Sequence, residues 1–166
     1  MVDLGCWPGG WLQVAAQVVG PTGCVVGVDL AELEPALDVA HVVTLRADLA
    51  DPATPAAIVD TLGDRADVVL CDAAPKLTGV RVTDRAREEA LLEAVEALLP
   101  EILEPGGDLL LKLLESPEAQ AIGKRIGSSF ARSRTLRPKA TRKGSSEKYL
   151  LARGRKRSGP ADGETS

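Results

Sequence analysis

The sequence predicts an α/β sandwich whose sheet is mostly parallel and ends in an antiparallel hairpin at its C-terminal edge. Short apolar runs alternate with stretches of helical periodicity, and this alternation is typical of strand–helix–strand units with right-handed connections. One run, residues 67–71, is almost continuously apolar, as expected for a strand buried on both faces. Two later runs, residues 130–136 and 148–152, have no helix between them and are predicted to pair as the hairpin.

The first stretch, residues 1–11, reads M-V-D-L-G-C-W-P-G-G-W and predicts a strand, a tight turn and the start of a helix. Gly5, Gly9 and Gly10 lack a Cβ atom, so the backbone of this turn can lie directly against a ligand. In an open parallel sheet, ligands bind outside the carboxyl ends of the strands, where such a turn lies. The spacing is D-x-G-x-x-x-G-G rather than G-x-G-x-x-G, which favours a mononucleoside ligand over a dinucleotide.

Two acids follow the second and third apolar runs. Asp29 ends the run at residues 24–28, where a carboxylate can accept hydrogen bonds from both ribose hydroxyls. Asp48 comes shortly after the run at residues 41–45 and can accept from the exocyclic amine of adenine. Taken singly, each Asp is as readily a loop or helix-cap residue. Because these features recur at successive strand ends, together they predict a pocket for an adenosine-containing cofactor.

The remaining elements follow from helical periodicity and turn residues. The turn Gly20-Pro21-Thr22-Gly23 ends the first helix, and Pro105-Gly106-Gly107 is predicted to end the long third helix. The predicted helices are residues 11–19, 54–62, 84–103 and 117–128, and the fifth strand is residues 108–113. We expect one domain over residues 1–157 and a disordered tail over residues 158–166.

Composition and cysteine usage restrict the class of protein. The chain has 166 residues, of which 45% are hydrophobic, and this suits one globular domain. No apolar run approaches the roughly 18 residues that cross a bilayer, and no signal sequence is recognisable, so we expect a cytoplasmic protein without a membrane partner. Cys6, Cys24 and Cys71 lack C-x-x-C spacing. We expect them to be reduced, with Cys24 and Cys71 buried, and we expect no metal site.

Charge is divided unevenly along the chain. Residues 1–131 hold 9 basic and 21 acidic residues, whereas residues 132–157 hold 11 basic residues and one acid, Glu147. Lys and Arg release counterions when they neutralise phosphates, so the basic part predicts a polyanion partner. A merely solvated basic tail is the alternative. Aromatic residues are only 2% of the chain, so contact with RNA would depend more on charge than on base stacking.

Three chemistry-bearing residues stand where strand ends should converge. Asp72 follows the fourth strand, Lys112 lies in the fifth within L-L-L-K-L-L, and Glu147 precedes the last. A lysine is a useful general base only when its pKa falls toward neutrality, which burial favours and paired carboxylates oppose. Two interpretations stay open: a catalytic lysine flanked by two acids, or a buried ion-pair network that joins the edge strands.

Several of these motifs, taken in order, resemble the FtsJ/RrmJ (RlmE-type) family of S-adenosylmethionine-dependent RNA ribose 2′-O-methyltransferases. The resemblance covers about residues 2–156. It is carried by V-D-L-G-C-W-P-G-G-W at 2–11, V-D-L at 28–30, Asp48, V-V-L-C-D-A-A-P at 68–75 with Thr78-Gly79, E-P-G-G-D-L-L-L-K at 104–112, and S-S-E-K-Y-L-L-A-R-G at 145–154. It implies a Rossmann-like methyltransferase sandwich that uses S-adenosylmethionine (SAM). It also implies a monomer whose substrate is a uridine of large-subunit 23S ribosomal RNA, with no DNA partner.

The resemblance further implies roles for the residues around the cofactor. Gly9 and Trp11 would line the methionine end of SAM, Asp29 would hold its ribose and Asp48 its adenine. Asp72 would touch both the cofactor and the catalytic centre.

By the same resemblance, Lys112 looks like the family's proton acceptor and Glu147 like its final catalytic acid. Methyl transfer from a sulfonium to a hydroxyl is an in-line displacement, so positioning the reactants and removing the hydroxyl proton account for most of the catalysis. The basic run at residues 132–143 would bind phosphates without reading sequence, and the 2′-hydroxyl itself distinguishes RNA from DNA.

The chain departs from the family pattern at three places. The family has a further catalytic lysine on a helix before the first strand, and we expect the printed chain to be a truncated version that begins after it. Trp7 replaces a small residue of the glycine turn, and Lys76 stands where the family has Asn. Two other hypotheses therefore stay open: a non-catalytic module that binds SAM and RNA, and an oxidoreductase that uses an adenosine nucleotide.

Overall fold

A computed structural model describes residues 1–76, 78–113, 116–137 and 148–157. These residues form a seven-stranded sheet in the order β3-β2-β1-β4-β5-β7-β6. The strands are β1 Val2–Leu4, β2 Val25–Asp29, β3 Val42–Arg46, β4 Ala66–Cys71, β5 Leu103–Leu113, β6 Phe130–Leu136 and β7 Lys148–Arg155. The helices are α1 Gly10–Val19, α2 Thr54–Leu62, α3 Arg81–Ile102 and α4 Pro117–Ser128.

The sheet is mixed, as the sequence predicted. The pairs among β1, β2, β3, β4 and β5 are all parallel, whereas β7 runs antiparallel to both β5 and β6. The expected α/β sandwich with an antiparallel edge hairpin is confirmed. Residues 138–147, which include Glu147, and residues 158–166, the predicted tail, lie outside the described residues.

The two faces of the sheet are packed differently. On one face, a large core forms between the strands and helices α2, α3 and α4, with fully buried residues such as Leu4, Val69 and Leu111 at its centre. On the other face, α1 covers β1 and β2, where Leu12 packs against Val25. The alternation of side chains along each strand therefore decides which residues reach the core and which reach α1.

The beginning of β5 differs from the prediction. The helix α3 begins at Arg81 and ends at Ile102, and β5 begins at Leu103, so the predicted helix terminator Pro105-Gly106-Gly107 lies inside a strand. The pairing of β5 with β4 shifts register between Ala66 and Val68. A Cβ at Gly107 would lie 2.9 Å from the carbonyl oxygen of Asp67, so this glycine allows the strands to approach. The Gly-Gly pair serves a bulge here rather than a helix end.

We expect burial, not strand position, to decide the cost of truncating a valine in this sheet. Val26 is fully buried on β2, and its register partner on β3, Val43, is 40% exposed. Val26→Ala should lower the free energy of unfolding by about 2 kcal/mol, from lost apolar burial and the cavity left behind. The matched change Val43→Ala should cost less than about 1 kcal/mol. Urea denaturation of both variants measures this, and equal losses would contradict the packing described.

Candidate active site

The candidate site lies at the carboxyl ends of the parallel strands. The turn after β1 is held against β2, because the amides of Gly5 and Cys6 both donate to the carbonyl of Val28, at 2.8 and 3.2 Å. Gly9 caps α1 with a left-handed backbone, so the amino end of this helix opens at the same edge. A helix amino end carries unpaired amides and a partial positive charge, which suits a ligand with anionic or carbonyl groups.

Gly5 makes the closest approach between two loops of the site. Its φ is +77°, and a Cβ there would lie 2.4 Å from the Cα of Ala73, in the loop after β4. Only glycine allows the turn after β1 to lie on the backbone beside Asp72. The glycine that the sequence singled out for ligand approach therefore also joins two strand ends.

The carboxylate of Asp29 is fixed by two backbone amides. Trp7 donates to Oδ2 at 3.0 Å, and Ala31 donates to Oδ1 at 2.9 Å. Each carboxylate oxygen retains a further lone pair, so Asp29 can still accept from two vicinal hydroxyls. Asp48 is fixed similarly, since its Oδ1 accepts from the amide of Ala50 at 2.9 Å.

These residues surround one cavity of about 840 Å³. This volume is within the usual range for small-molecule sites, roughly 300–1,000 Å³. Its polar lining includes Asp29, Asp48, Asp72 and Lys112, and Leu30 and Leu49 add apolar surface. The geometry thus brings together four of the residues singled out from the sequence.

Gly9 and Trp11 are not among the described residues that line this cavity. Gly9 is buried within the turn. Trp11 is half-buried and stacks on Tyr149, with ring centroids 5.6 Å apart and an interplanar angle of 23°. Their predicted contact with the methionine end of a cofactor stays a prediction.

Lys112 and Asp72 form an ion pair at the end of the cavity. The Lys112 ammonium lies 3.1 Å from Asp72 Oδ1 and donates to the Asp72 carbonyl at 2.7 Å. The lysine side chain is only 11% exposed. β5 therefore delivers Lys112 to the loop that follows β4, and two oxygens of one residue fix the position of Nζ. The Lys–Asp part of the predicted ion-pair network is present, and Glu147 lies outside the described residues.

Tyr149 is a site residue that the sequence analysis did not single out. It pairs with Lys112 across β5 and β7, and its hydroxyl donates to Asp72 Oδ1 at 3.4 Å. Its ring also packs on Trp11, so Tyr149 connects the hairpin, α1 and the ion pair. Aligning the predicted strands β5 and β7 in the sequence could have identified it, because Tyr149 is the residue that pairs with Lys112.

Two buried acids near the site were also missed. Glu88 on α3 is 7% exposed and accepts a hydrogen bond from Ser116 Oγ at 3.4 Å, and it lines a small cavity together with Lys112. Asp3 on β1 is fully buried, and neither carboxylate oxygen has a hydrogen-bond partner among the described residues. Burial, followed by the charges of Asp72 and Asp29, raises the pKa of Asp3 to about 7. The sequence did offer a sign of Asp3, because an acidic residue stands inside the apolar run V-D-L.

The loop that follows Asp72 is fixed by α3. The carboxylate of Asp84 accepts from the amide and hydroxyl of Thr78, both at 2.7 Å, and from the amide of Gly79 at 3.1 Å. These bonds lower the pKa of Asp84. Arg87 donates to the Lys76 carbonyl at 2.8 Å. Asp84, in the first turn of α3, thus binds the Thr-Gly pair of the motif, and Arg87 holds the loop at the rim of the cavity.

Trp7 and Lys76, which differ from the family pattern, both lie at the rim of the cavity. The Trp7 side chain is 57% exposed beside Leu30, which is 65% exposed, and both line the cavity. The indole therefore borders the opening instead of filling it. Lys76 is also exposed and lines the same cavity.

The cysteines differ in part from expectation. Cys71 is buried as predicted, but Cys24 is half-buried and Cys6 is the second buried thiol, because Cys6 turns under α1. All three are free thiols. Burial raises the pKa of Cys6 and of Cys71 to about 12, so both stay protonated. Within the described ranges, no cluster of three or more His, Cys, Asp or Glu side chains could hold a metal ion, and no helix could span a membrane.

A family model described as FtsJ-like methyltransferase matches residues 1–155. The chain belongs to the FtsJ-like methyltransferase family. This confirms the resemblance read from the motifs, and SAM is the methyl donor of FtsJ-like methyltransferases. The cavity has the parts that SAM requires, namely a glycine turn that a Cβ would block and fixed carboxylates at Asp29 and Asp48.

Two FtsJ-like relatives are named ribosomal RNA large subunit methyltransferase E. The protein from Halorubrum lacusprofundi is 42% identical over 155 residues, which is 93% of this chain and 57% of that protein. The protein from Natronomonas pharaonis is 39% identical over 165 residues, 99% of this chain and 64% of that protein. The chain therefore spans about three fifths of the length of these relatives.

The fold is also shared with a solved structure, a ribosomal RNA methyltransferase from Plasmodium falciparum. The TM-score is 0.78 at 19% sequence identity, over 93% of this chain and 85% of that one. At this identity the comparison supports the Rossmann-like methyltransferase fold, as predicted.

We expect Gly5→Ala to lower the free energy of unfolding by more than the strain of its positive φ alone would. Gly63 also has a positive φ, +87°, but a Cβ there would meet nothing within 4 Å. Gly63→Ala should therefore cost about 1 kcal/mol of stability from backbone strain alone. Gly5→Ala should cost at least about 2 kcal/mol more, because the backbone of Ala73 must shift. Thermal and urea unfolding of both variants tests this, and equal costs would contradict the close approach.

Proposed function

We propose that this protein transfers a methyl group from SAM to the 2′-oxygen of a ribose in large-subunit ribosomal RNA, with a uridine of 23S RNA as the acceptor. The observation that carries this proposal is the Lys112 ammonium fixed by two oxygens of Asp72 at the end of an adenosine-sized cavity. The names of the FtsJ-like relatives support RNA as the substrate.

The cavity suits SAM through its own side chains. Asp29 accepts the two ribose hydroxyls with the lone pairs that its backbone partners leave available. Asp48 accepts from the adenine amine, and Leu30 and Leu49 contact the flat faces of the base. By the family resemblance, Gly9 and Trp11 would serve the methionine end. When bound, SAM supplies the methyl group and a thioether leaving group.

Lys112 is the proposed proton acceptor. The acceptor hydroxyl would lie beside Nζ. Only the neutral amine form of Lys112 has a lone pair, and in that form it would take the 2′-proton as the hydroxyl oxygen attacks the methyl carbon in line with the departing sulfur. Asp72 orients the lysine through both its carboxylate and its carbonyl. Tyr149 supports the carboxylate of Asp72 and packs on Trp11. By the family resemblance, Glu147 is the second acid of this centre.

A basic groove of about 570 Å³ next to the site suits the RNA backbone. It lies between α4 and the β6–β7 hairpin, and its cationic lining is Lys124, Arg134, Arg137 and Lys148. Leu113, the residue after Lys112, borders the same groove. RNA phosphates held there would lie near the end of β5, the strand that also carries Lys112. Of the proposed basic run at residues 132–143, the described part contributes Arg134 and Arg137 to the groove.

We expect Lys112→Ala to lower the rate of methyl transfer by about 10²–10⁴-fold, the usual contribution of a general base. Its affinity for S-adenosylhomocysteine (SAH) should change by less than about two-fold, since the role is in the chemical step. Single-turnover transfer of labelled methyl to unmethylated large ribosomal subunits, together with SAH titration, measures both quantities.

The matched control for this variant is Lys156→Ala. Lys156 follows β7 at the opposite end of the sheet, where its ammonium donates to the Ser128 carbonyl, and the change should leave the transfer rate intact. Retained activity in Lys112→Ala would refute the proton-acceptor role. If the unaltered protein binds SAH and RNA normally but never turns over, it is a non-catalytic binding module instead.

We expect Arg134→Ala to weaken RNA binding by a similar factor for all sequences. Losing one phosphate contact should reduce the slope of log affinity against log salt concentration by about 1. The control Arg65→Ala removes an exposed arginine at the far end of β4, where it donates to the Glu101 carbonyl. Filter-binding titrations at several salt concentrations test this. An unchanged slope in Arg134→Ala would exclude the groove as a phosphate site.

A further inference from the structure

A second group of basic side chains lies in the loop after β4 and the first two turns of α3. It consists of Lys76, Arg81, Arg85 and Arg87, all of them exposed, and we call it the α3 cluster. Two of its members line the cofactor cavity, which lies on the β4 side of β5, whereas the basic groove lies on the hairpin side. The α3 cluster and the basic groove therefore lie on different sides of the strand that carries Lys112.

The charges along α3 are arranged against the preference of the helix dipole. Residues 81–87 contain three arginines and one acid, whereas residues 88–102 contain five glutamates and no basic residue. The amino end of a helix favours acidic side chains and its carboxyl end favours basic ones. This distribution therefore does not serve the stability of the helix. A polyanion bound at the amino end would compensate the arginines there.

The positive charges of the α3 cluster are not neutralised from within the protein. No carboxylate in the described part of the chain forms an ion pair with Lys76, Arg81 or Arg85. The one acid of residues 81–87 is Asp84, and its carboxylate already accepts three hydrogen bonds from the loop that precedes the helix. The cluster can therefore attract an external anion, and arginine in particular matches the geometry of a phosphate.

The α3 cluster is held in a fixed position beside the reaction centre. Asp84 binds the loop before the helix, and Arg87 donates to the Lys76 carbonyl at 2.8 Å. Lys76 and Arg87 line the same cavity as Asp72 and Lys112. The loop is thus ordered before any ligand binds, which lowers the entropic cost of binding.

We propose that the α3 cluster binds phosphates of the RNA strand on one side of the acceptor ribose, while the basic groove binds phosphates on the other side. The strand then crosses the reaction centre between two cationic surfaces, and its acceptor ribose is held over Lys112 from both directions. Contacts to phosphates position the RNA without reading its sequence. This inference rests on the proposed function in taking RNA as the substrate.

The test compares Arg81→Ala, Arg85→Ala and their combination in filter-binding titrations of large-subunit ribosomal RNA at several salt concentrations. Each lost phosphate contact should reduce the slope of log affinity against log salt concentration by about 1, so the combined variant should lose about 2. Replacing both arginines by lysine should retain most of the slope, because a lysine keeps the charge. The matched control is Arg65→Ala, which should leave the slope unchanged. An unchanged slope in the combined alanine variant would overturn the inference.

The contacts of the α3 cluster should be separate from those of the basic groove. Adding Arg134→Ala to the combined alanine variant should reduce the slope by about 1 more, because independent sites contribute additively. The SAH affinity and the unfolding temperature of the combined variant should not fall. A loss of SAH affinity would assign the two arginines to the cofactor, and a loss of stability with an unchanged slope would assign them to the fold, and either result would overturn the inference.

Failure of this inference can be told apart from failure of the proposed function. If Arg134→Ala reduces the slope and the combined variant does not, the α3 cluster is not an RNA contact and the proposed function stands. If the unaltered protein neither binds large-subunit ribosomal RNA nor transfers a methyl group to it, the proposed function itself fails.

Discussion

The contact between Lys112 and Asp72 is the interaction on which the rest of the site depends. It joins the fifth strand to the loop after the fourth, and it uses the carbonyl as well as the carboxylate of one residue. The same loop is held from the other side by the close approach of Gly5 to Ala73. Three neighbouring strands are thereby fixed at one edge of the sheet. A flexible lysine acquires a defined position there, which is what proton transfer in a displacement reaction requires.

The charge balance of the site explains its ligand. Asp3, Asp29 and Asp72 come from adjacent strands, and Lys112 compensates only the last of them. Asp29 is stabilised by backbone amides, whereas the carboxylate oxygens of Asp3 have no hydrogen-bond partner among the described residues. A site with this excess of acid favours a ligand that carries positive charge, and the sulfonium of SAM is such a charge. The cationic lining that the proposed RNA phosphates would require lies in the separate groove beside α4.

Much of the fold followed from sequence because local signals and packing agreed. Helices α2 and α4 and strand β6 have the predicted bounds, since turn residues and apolar periodicity indicate the same ends and Ser116 caps α4. The predicted start of β5 was wrong because Pro-Gly-Gly is typical of both a helix end and a strand bulge. Only the close approach of Gly107 to the Asp67 carbonyl distinguishes the two, and the sequence does not show it. The residues of the glycine turn and the strand ends were found from their spacing. Tyr149 and Glu88 were missed because their importance comes from neighbours across the sheet and on α3, which spacing along the chain does not reveal.

The most direct test of the account is the chemical position of the transferred methyl group. Labelled SAM and unmethylated large ribosomal subunits would be incubated with the protein, and the RNA would be digested to nucleosides. Label on a ribose 2′-oxygen is the expected result, because Lys112, positioned by Asp72 beside the cofactor cavity, is the proposed acceptor of a hydroxyl proton. Label on a base nitrogen or carbon, or no label in RNA, would contradict it.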